Sequence, residues 1–292
     1  MFKKYIEFRT FLNKKKDGVD FITYTLYKYI CSCFYKKKTK ILSEKQIADF
    51  HLKKVLVLPS LITQDKVEIM ANSLLENLEH NRIKTRHCLI RKYPKWKIAR
   101  ILLYFYDRLF KNSVIYYGFP SIYLKQVYQI FDPLRNLEAF KDVIQNNLIY
   151  ITNELMNSES NIYKAIAYKT INIEQKETKN VKGSLHRDGD IWTAIKCIIY
   201  LTDVDINSGP FCYQDENGEV IPVLGKKGTV IFFKSASLRH MGSNTKTKER
   251  LAAGFTSYPS FKNEINDFEL AVDFERRTVP FLPYWPKVTL RD

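Results

Sequence analysis

The spacing of hydrophobic residues changes near the middle of the chain, which predicts helices in the first half and strands in the second. A short apolar run at 54–58 predicts a strand. Apolar residues then recur at intervals of three and four from 67 to 78, which predicts an amphipathic helix capped by Thr63. The same periodicity predicts two more helices, around 98–109 and 134–155.

From Tyr163 onward, short apolar runs are separated by Gly, Asp, Asn or Pro, as strands are separated by turns. Eight of the ten glycines fall in this part of the chain. Short strands at this spacing indicate a sandwich or barrel, and a jelly roll is the form that encloses a site between two sheets. Five strands are predicted, at 163–173, 194–201, 210–213, 229–233 and 251–258.

The predicted fold class is therefore α+β: a double-stranded β-helix (jelly roll) core, with helices from the N-terminal half packed on one sheet. Neither a repeat nor a Gly/Ser/Pro-rich linker divides the sequence. We expect a basic aromatic leader over 1–50 and a single domain over 51–292. Within that domain the helical part is predicted at 60–157 and the jelly-roll core at 163–260.

Positive charge is concentrated in two stretches of a chain whose net charge is +16. Residues 1–60 carry 14 Lys/Arg against 5 Asp/Glu, and 81–111 carry 10 against 1. Such patches attract anionic partners, although a solvated basic face is the alternative. Nucleic acid is not the expected partner, because 151–292 carries 19 basic against 18 acidic residues and so lacks a cationic groove beside the predicted core.

An aromatic, apolar run from Val19 to Tyr35 lies between two lysine triplets, at 14–16 and 36–38. With Lys28 inside it, the run is too short for a membrane span and lacks the cleavage site of a signal peptide. Two interpretations stay open. The run is either an interfacial helix at an anionic lipid surface or a helix packed on the domain.

Five cysteines occur at Cys31, Cys33, Cys88, Cys197 and Cys212. An odd number without repeated spacing argues against a disulfide framework and for a reducing compartment. We therefore expect a cytoplasmic protein, peripheral on the inner face of a membrane if the leader binds lipid. The sequence does not indicate an oligomeric state.

His186 and Asp188 form an H-x-D step directly before a predicted strand. In an extended chain the two side chains point to the same side, about 7 Å apart at the backbone, so both can reach one ion. His240 follows at the end of the strand that begins at Thr229. Two histidines and one carboxylate in this arrangement are the facial triad that holds Fe(II) and leaves coordination positions open.

Arg250 stands ten residues after His240, at the start of the next predicted strand. In an antiparallel hairpin this spacing returns the chain beside His240. There a guanidinium group could hold the far carboxylate of a metal-bound dicarboxylate. The alternative is a surface arginine beside Glu249.

Four ordered segments resemble the phytanoyl-CoA dioxygenase-like branch of the Fe(II)/2-oxoglutarate oxygenases. They are LHRDGDIW, IKCIIYLTDVDINSGPFCY, GKKGTVIFF and RHMGSNTKTKERL. The opening strand and helix over 54–70 also look like that family, so the resemblance covers about residues 54–260. The chain departs from the family after GPFCY, where QDENGEV replaces the usual Pro-Gly-Ser-His turn.

The resemblance implies that His186, Asp188 and His240 hold iron and that Arg250 anchors 2-oxoglutarate. Trp192 matches an aromatic residue that lies near the iron in related enzymes, with a buried core tryptophan as the alternative. The family often has a hydroxyl residue two places after the distal histidine. Gly242 stands there in this chain, so the next residue, Ser243, is the candidate for a second co-substrate contact.

The implied cofactor and co-substrates are Fe(II), 2-oxoglutarate and O2. The implied reaction couples decarboxylation of 2-oxoglutarate to succinate with hydroxylation of an unactivated C–H bond. Desaturation or ring closure can follow the same hydrogen abstraction. The expected substrate is a small-molecule, sugar or lipid-linked compound, anionic in view of the basic segments. The alternatives are a non-catalytic jelly-roll binding module and a nucleic-acid-directed oxygenase of the same superfamily.

Overall fold

A computed structural model describes most of the helices and strands that surround the predicted site. The described residues are 19–36, 40–80, 116–117, 127–131, 138–170, 185–188, 192–243, 245–265, 276–277 and 285–286. The helix predicted around 98–109, the basic segment 81–111 and the leader before residue 19 lie outside these ranges. Expectations about them stay predictions.

Helices occupy the N-terminal part of the described chain. Ser43 begins α2 with a capping box, in which its hydroxyl accepts from the Gln46 backbone and the Gln46 side chain accepts from the Ser43 backbone. The helix predicted after Thr63 is confirmed as α3. The helices are α1 (Val19–Phe34), α2 (Glu44–Lys53), α3 (Gln64–His80), α4 (Glu138–Val143) and α5 (Ile149–Met156), the last two joined by a π-helical turn at Ile144–Leu148.

All five strands predicted in the second half of the sequence are present, with bounds shifted by a few residues. The strands are β1 (Val55–Leu58), β2 (Tyr116–Tyr117), β3 (Val127–Phe131), β4 (Glu159–Thr170), β5 (Ile195–Tyr200), β6 (Phe211–Gln214), β7 (Val220–Val223), β8 (Val230–Phe233), β9 (His240–Gly242), β10 (Arg250–Ser260), β11 (Glu264–Ile265), β12 (Arg276–Arg277) and β13 (Trp285–Pro286).

Two antiparallel sheets form the core. The large sheet has the order β1-β8-β5-β10-β4-β3-β2, with β11 parallel to β4 at its side. The small sheet has the order β7-β6-β9, and a β-bridge between His186 and His240 adds the 185–188 segment beside β9. The strands β12 and β13 pair only with each other among the described residues.

Alternation along the strands of the large sheet gives it two different faces. On β5, Ile195, Cys197 and Ile199 belong to the core shared with the helices, and residues from α2 to α5 complete that core. The alternate residues of β5 point the other way. Tyr200 packs in a second core with Phe211 of the small sheet, and its hydroxyl donates to the Val223 carbonyl at 2.9 Å. The helices therefore cover one face of the large sheet and the small sheet covers the other, which confirms the predicted fold class.

The aromatic run near the N-terminus forms α1, which packs on the domain along one side. Cys31 is buried, and the rings of Tyr27 and Phe34 contact Phe261 edge-on at centroid distances of 5.8 and 5.9 Å. On the opposite side of α1, Leu26, Tyr29 and Ile30 are exposed. In the described part of the chain, no helix combines the length and hydrophobicity needed to cross a membrane.

Candidate metal centre

Backbone hydrogen bonds hold the two histidines of the predicted triad side by side. The His186 N–H donates to the His240 carbonyl at 3.0 Å, and the His240 N–H donates to the His186 carbonyl at 2.9 Å. The Asp188 N–H donates to the Ser235 carbonyl at 3.0 Å. His186 and Asp188 therefore point from one extended segment toward His240 on the neighbouring strand, as the H-x-D spacing predicts.

The three side chains converge on one point. One ligand atom from each of His186, Asp188 and His240 lies within 4.8 Å of the others. His240 Nε2 is 3.3 Å from Asp188 Oδ2, and His186 Nε2 is 3.7 Å from Asp188 Oδ1. Two imidazole nitrogens and a carboxylate oxygen at one point are a donor set that fits a divalent transition metal such as Fe(II).

His240 is the most firmly oriented of the three side chains. Its Nδ1 lies 3.0 Å from the Leu238 carbonyl, which can only accept, so Nδ1 carries the proton and Nε2 keeps a free lone pair. The rings of Phe233 and Phe211 pack against it at centroid distances of 4.8 and 5.8 Å. The His240 side chain is 8% exposed and that of His186 is 49% exposed. The metal site is thus closed on the His240 side and open on the His186 side.

A pocket of about 310 Å³ opens beside the triad, between the large and the small sheet. Apolar side chains make up much of its wall, and they include Ile166, Ile198, Phe211, Phe233 and Phe255. The charged residues in the wall are Asp188, Lys196 and Arg250. An apolar wall with a few charged groups is typical of small-molecule sites.

Arg250 is buried at the start of β10, with 4% of its surface exposed. One of its Nη groups donates to the Gly209 carbonyl, and the guanidinium lies 5.7 Å from the centre of the Tyr168 ring. Its Nε is buried without a hydrogen-bond partner among the described residues. A buried guanidinium with an unused donor is suited to an anionic ligand such as a carboxylate, because a charge-assisted bond would satisfy that donor.

The route by which the chain brings Arg250 to the site differs from the prediction. We expected a hairpin between the strands of His240 and Arg250, and that expectation is wrong. β9 pairs with β6 in the small sheet, whereas β10 pairs with β4 and β5 in the large sheet. The chain crosses between the sheets after Gly242, and a Cβ atom on Gly242 would still lie 3.8 Å from Arg250 Nη2.

Lys196 also lines the pocket, although the family resemblance assigned it no role. It lies on β5 between two residues of the helix-side core, so alternation points its side chain to the pocket. Its ammonium group pairs with Asp188 Oδ2, and both side chains are 22% exposed. The sequence IKCIIY could have indicated a role for Lys196, because a lysine at an inward position of a buried strand is rare without a partner.

Trp192 and Ser243 lie outside the set of residues that line the pocket. Trp192 is 37% exposed, in the turn before β5. The Ser243 hydroxyl donates to the Pro210 carbonyl at 2.7 Å, and the Ser243 N–H donates to the same carbonyl at 3.0 Å. The roles expected for Trp192 near the metal and for Ser243 at the co-substrate stay predictions.

The sequence matches no protein-family model, and no curated protein sequence matches it. The structure does match solved structures. It matches the non-heme alpha ketoglutarate dependent epimerase SnoN from nogalamycin biosynthesis with a TM-score of 0.51 at 12% identity, covering 74% of this chain and 80% of that chain. The structure also matches the carbocyclase SnoK from the same biosynthesis, which is likewise alpha ketoglutarate dependent. The TM-score is 0.51 at 14% identity, covering 79% of this chain and 90% of that chain.

A third match is EctD from S. alaskensis, whose structure was solved with 2-oxoglutarate and 5-hydroxyectoine. Its TM-score is 0.52 at 14% identity, covering 77% of this chain and 79% of that chain. Identities this low establish a shared fold and leave function to the site itself. The chain therefore has the jelly-roll fold of these three proteins, and its own residues place a His-Asp-His cluster between the two sheets.

Proposed function

We propose that this protein is a non-haem Fe(II)/2-oxoglutarate-dependent oxygenase, of the phytanoyl-CoA dioxygenase-like branch that its motifs resemble. The observation that carries the proposal is the convergence of His186, Asp188 and His240 in a pocket that also contains the buried Arg250. Fe(II) held by the three ligands would supply O2 activation coupled to decarboxylation of 2-oxoglutarate. Hydroxylation is the expected outcome.

The protein's own groups orient the reactants. Arg250 binds the carboxylate of 2-oxoglutarate that is farther from the metal, with the donor that has no partner within the described chain. The ring of Phe233 covers His240, and the apolar wall keeps water away from the closed side of the site. The substrate enters from the open side, where His186 is half exposed.

Pocket charge supports an anionic substrate. Fe(II), Arg250 and Asp188 sum to +2, which the two carboxylates of 2-oxoglutarate balance. Lys196 adds one positive charge at the same place. A substrate carboxylate or phosphate in the pocket would balance this remaining positive charge, and this would help the pocket select an anionic small molecule, sugar or lipid-linked compound.

We also propose peripheral contact with an anionic membrane surface through the first part of the chain. Support comes from the 14 Lys/Arg in residues 1–60 and from the exposed side of α1, where Leu26 and Tyr29 are 56% and 67% exposed. Apolar groups beside a polybasic segment bind anionic bilayers through hydrophobic insertion and electrostatic attraction together. Such contact would place the enzyme on the cytoplasmic face of a membrane.

Turnover of 2-oxoglutarate tests the proposed reaction class. Anaerobic protein should bind one equivalent of Fe(II), and added 2-oxoglutarate should give a weak visible charge-transfer band. Admission of O2 should then yield succinate, measured against an Asp188→Asn control. Retained binding of 2-oxoglutarate without any succinate would favour the non-catalytic binding module. Succinate formation stimulated only by single-stranded DNA or RNA would favour the nucleic-acid-directed alternative.

Replacing Lys196 with methionine tests the charge argument. We expect Lys196→Met to keep 2-oxoglutarate affinity within about threefold, because Arg250 carries that contact. Inhibition of succinate formation by a panel of small carboxylates and phosphate esters should weaken about tenfold or more. Lys66→Met, which removes an exposed lysine paired with Asp142, serves as the control. Unchanged inhibition across the panel would remove Lys196 from substrate recognition.

A further inference from the structure

Lys196 brings a positive charge of the protein itself to the carboxylate of Asp188. The Lys196 ammonium group pairs with Asp188 Oδ2, and both side chains are partly buried. The same oxygen lies 3.3 Å from His240 Nε2. Neighbouring ligand atoms around one transition-metal ion are about 3 Å apart, since each lies about 2.1 Å from the ion. Oδ2 is therefore spaced to share an ion with His240, and Lys196 binds this same oxygen.

The register of the large sheet places Lys196 against the triad. Lys196 on β5 is paired with Phe233 on β8 and with Thr256 on β10. Directly opposed residues of neighbouring strands share a face, and all three of these residues line the pocket. The ring of Phe233 also packs against His240, at a centroid distance of 4.8 Å. Strand register therefore puts the Lys196 ammonium group within reach of Asp188.

A metal ion at the triad and the Lys196 ammonium group need the same carboxylate. On one shared oxygen the two cations would lie within about 5 Å of each other, given contact distances of about 2.1 Å for the metal and about 2.8 Å for the ammonium nitrogen. Cations this close repel strongly in a pocket with an apolar wall, because little solvent screens them. The single negative charge of Asp188 cannot neutralise both.

We infer that Lys196 competes with the divalent metal for Asp188, and that metal binding releases the ammonium group to an anion in the pocket. The inference rests on the metal centre of the proposed function. A released ammonium group stays in a partly apolar pocket, where an anionic ligand lowers its desolvation cost. Because such coupling is reciprocal, the anion should strengthen metal binding as much as the metal strengthens anion binding. Lys196 therefore makes metal affinity depend on an anionic ligand.

The Mn(II) affinity of Lys196 variants tests the competition. We expect Lys196→Met to bind one equivalent of Mn(II) about tenfold more tightly than the parent, because the variant lacks the competing charge. Lys196→Arg keeps that charge, so its affinity should stay within about threefold of the parent's. The matched control is Lys169→Met, which removes a partly buried lysine of β4 that pairs with Glu249 at 2.7 Å. This control should leave Mn(II) affinity unchanged.

Thermal unfolding separates competition from a purely structural role. Without metal, Lys196→Met should have a lower Tm than the parent, because Asp188 keeps its charge and loses the ammonium group. A fixed concentration of Mn(II) should then raise the Tm of the variant more than that of the parent, since stabilisation by a ligand grows with its affinity. A lysine that only stabilises the fold would lower Tm equally with and without Mn(II), and that result would overturn the competition.

Sulfate tests the release of Lys196 to an anion. With ionic strength held constant by chloride, sulfate should raise the Mn(II) affinity of the parent more than that of Lys196→Met. Association of Mn(II) with sulfate in solution affects both titrations alike, so the difference between the two proteins belongs to Lys196. An equal effect of sulfate on both proteins would overturn the release.

The Mn(II) titrations also distinguish failure of this inference from failure of the proposed function. Stoichiometric binding to the parent, with equal or weaker binding to folded Lys196→Met, would overturn the competition and leave the metal centre intact. A parent protein that binds no Mn(II) would overturn the metal centre and, with it, the competition at Asp188.

Discussion

His240→Ala should weaken the binding of one equivalent of Mn(II), used as an air-stable probe of the iron site, by about a hundredfold or more. The loss is expected to be large because His240 is the buried, oriented ligand, with Nδ1 on the Leu238 carbonyl and Nε2 facing Asp188. Asp188→Asn should have an effect of similar size, since it removes the charged ligand. Equilibrium dialysis and the electron paramagnetic resonance signal of free Mn(II) measure both effects.

The matched control for Asp188→Asn is Asp142→Asn. Asp142 is an exposed carboxylate that pairs with Lys66 and lies on α4, so its replacement should leave Mn(II) affinity unchanged. Circular dichroism and Tm show that each variant is folded before binding is compared. Stoichiometric Mn(II) binding that survives in folded His240→Ala and Asp188→Asn would refute the metal centre.

Arg250→Ala should weaken 2-oxoglutarate binding by about ten- to a hundredfold, the range expected from a charge-assisted hydrogen bond of about 1.5–3 kcal/mol. Mn(II) affinity should stay within about twofold, because Arg250 contacts the Gly209 carbonyl and the Tyr168 ring and none of the metal ligands. Calorimetric titration of 2-oxoglutarate into the anaerobic Mn(II) protein separates the two affinities.

Arg250→Lys and Arg239→Ala complete this series. Arg250→Lys keeps the charge but loses the planar guanidinium group, which can donate two parallel hydrogen bonds to a carboxylate. We therefore expect a 2-oxoglutarate affinity between those of the parent and Arg250→Ala. Arg239 is an exposed arginine bonded to the Gln214 side chain, and its replacement should not change 2-oxoglutarate binding. If Arg250→Ala keeps the parent's affinity, the co-substrate carboxylate is anchored elsewhere, and Lys196 is the remaining cation among the lining residues.

Strand positions were predictable from sequence wherever a strand is buried on both faces or ends at glycine or proline. The run at 251–258 is an example, because every residue of β10 is buried. The short strands β7 and β9 were missed. β9 has three residues, and β7 has one exposed and two half-buried residues, so neither gives an alternating pattern long enough to detect.

The convergence of His186, Asp188 and His240 was predictable because an H-x-D step fixes two of these side chains by local geometry. The position of Arg250 beside them was predicted for a wrong reason, since sequence spacing cannot distinguish a hairpin from a crossing between sheets.

The placement of the metal ligands and Arg250 on different sheets has a consequence for the choice of co-substrate. Packed sheets keep a spacing of about 10 Å, which their interlocked side chains hold fixed. The Arg250 side chain crosses this space, since one Nη donates to the Gly209 carbonyl and the other lies near Gly242 of β9. In the proposed reaction, the fixed distance from the metal ligands to this guanidinium sets the separation between the two ends of any acid that spans them. If the proposed reaction holds, the protein should prefer the five-carbon 2-oxoglutarate to its four-carbon and six-carbon homologues, oxaloacetate and 2-oxoadipate.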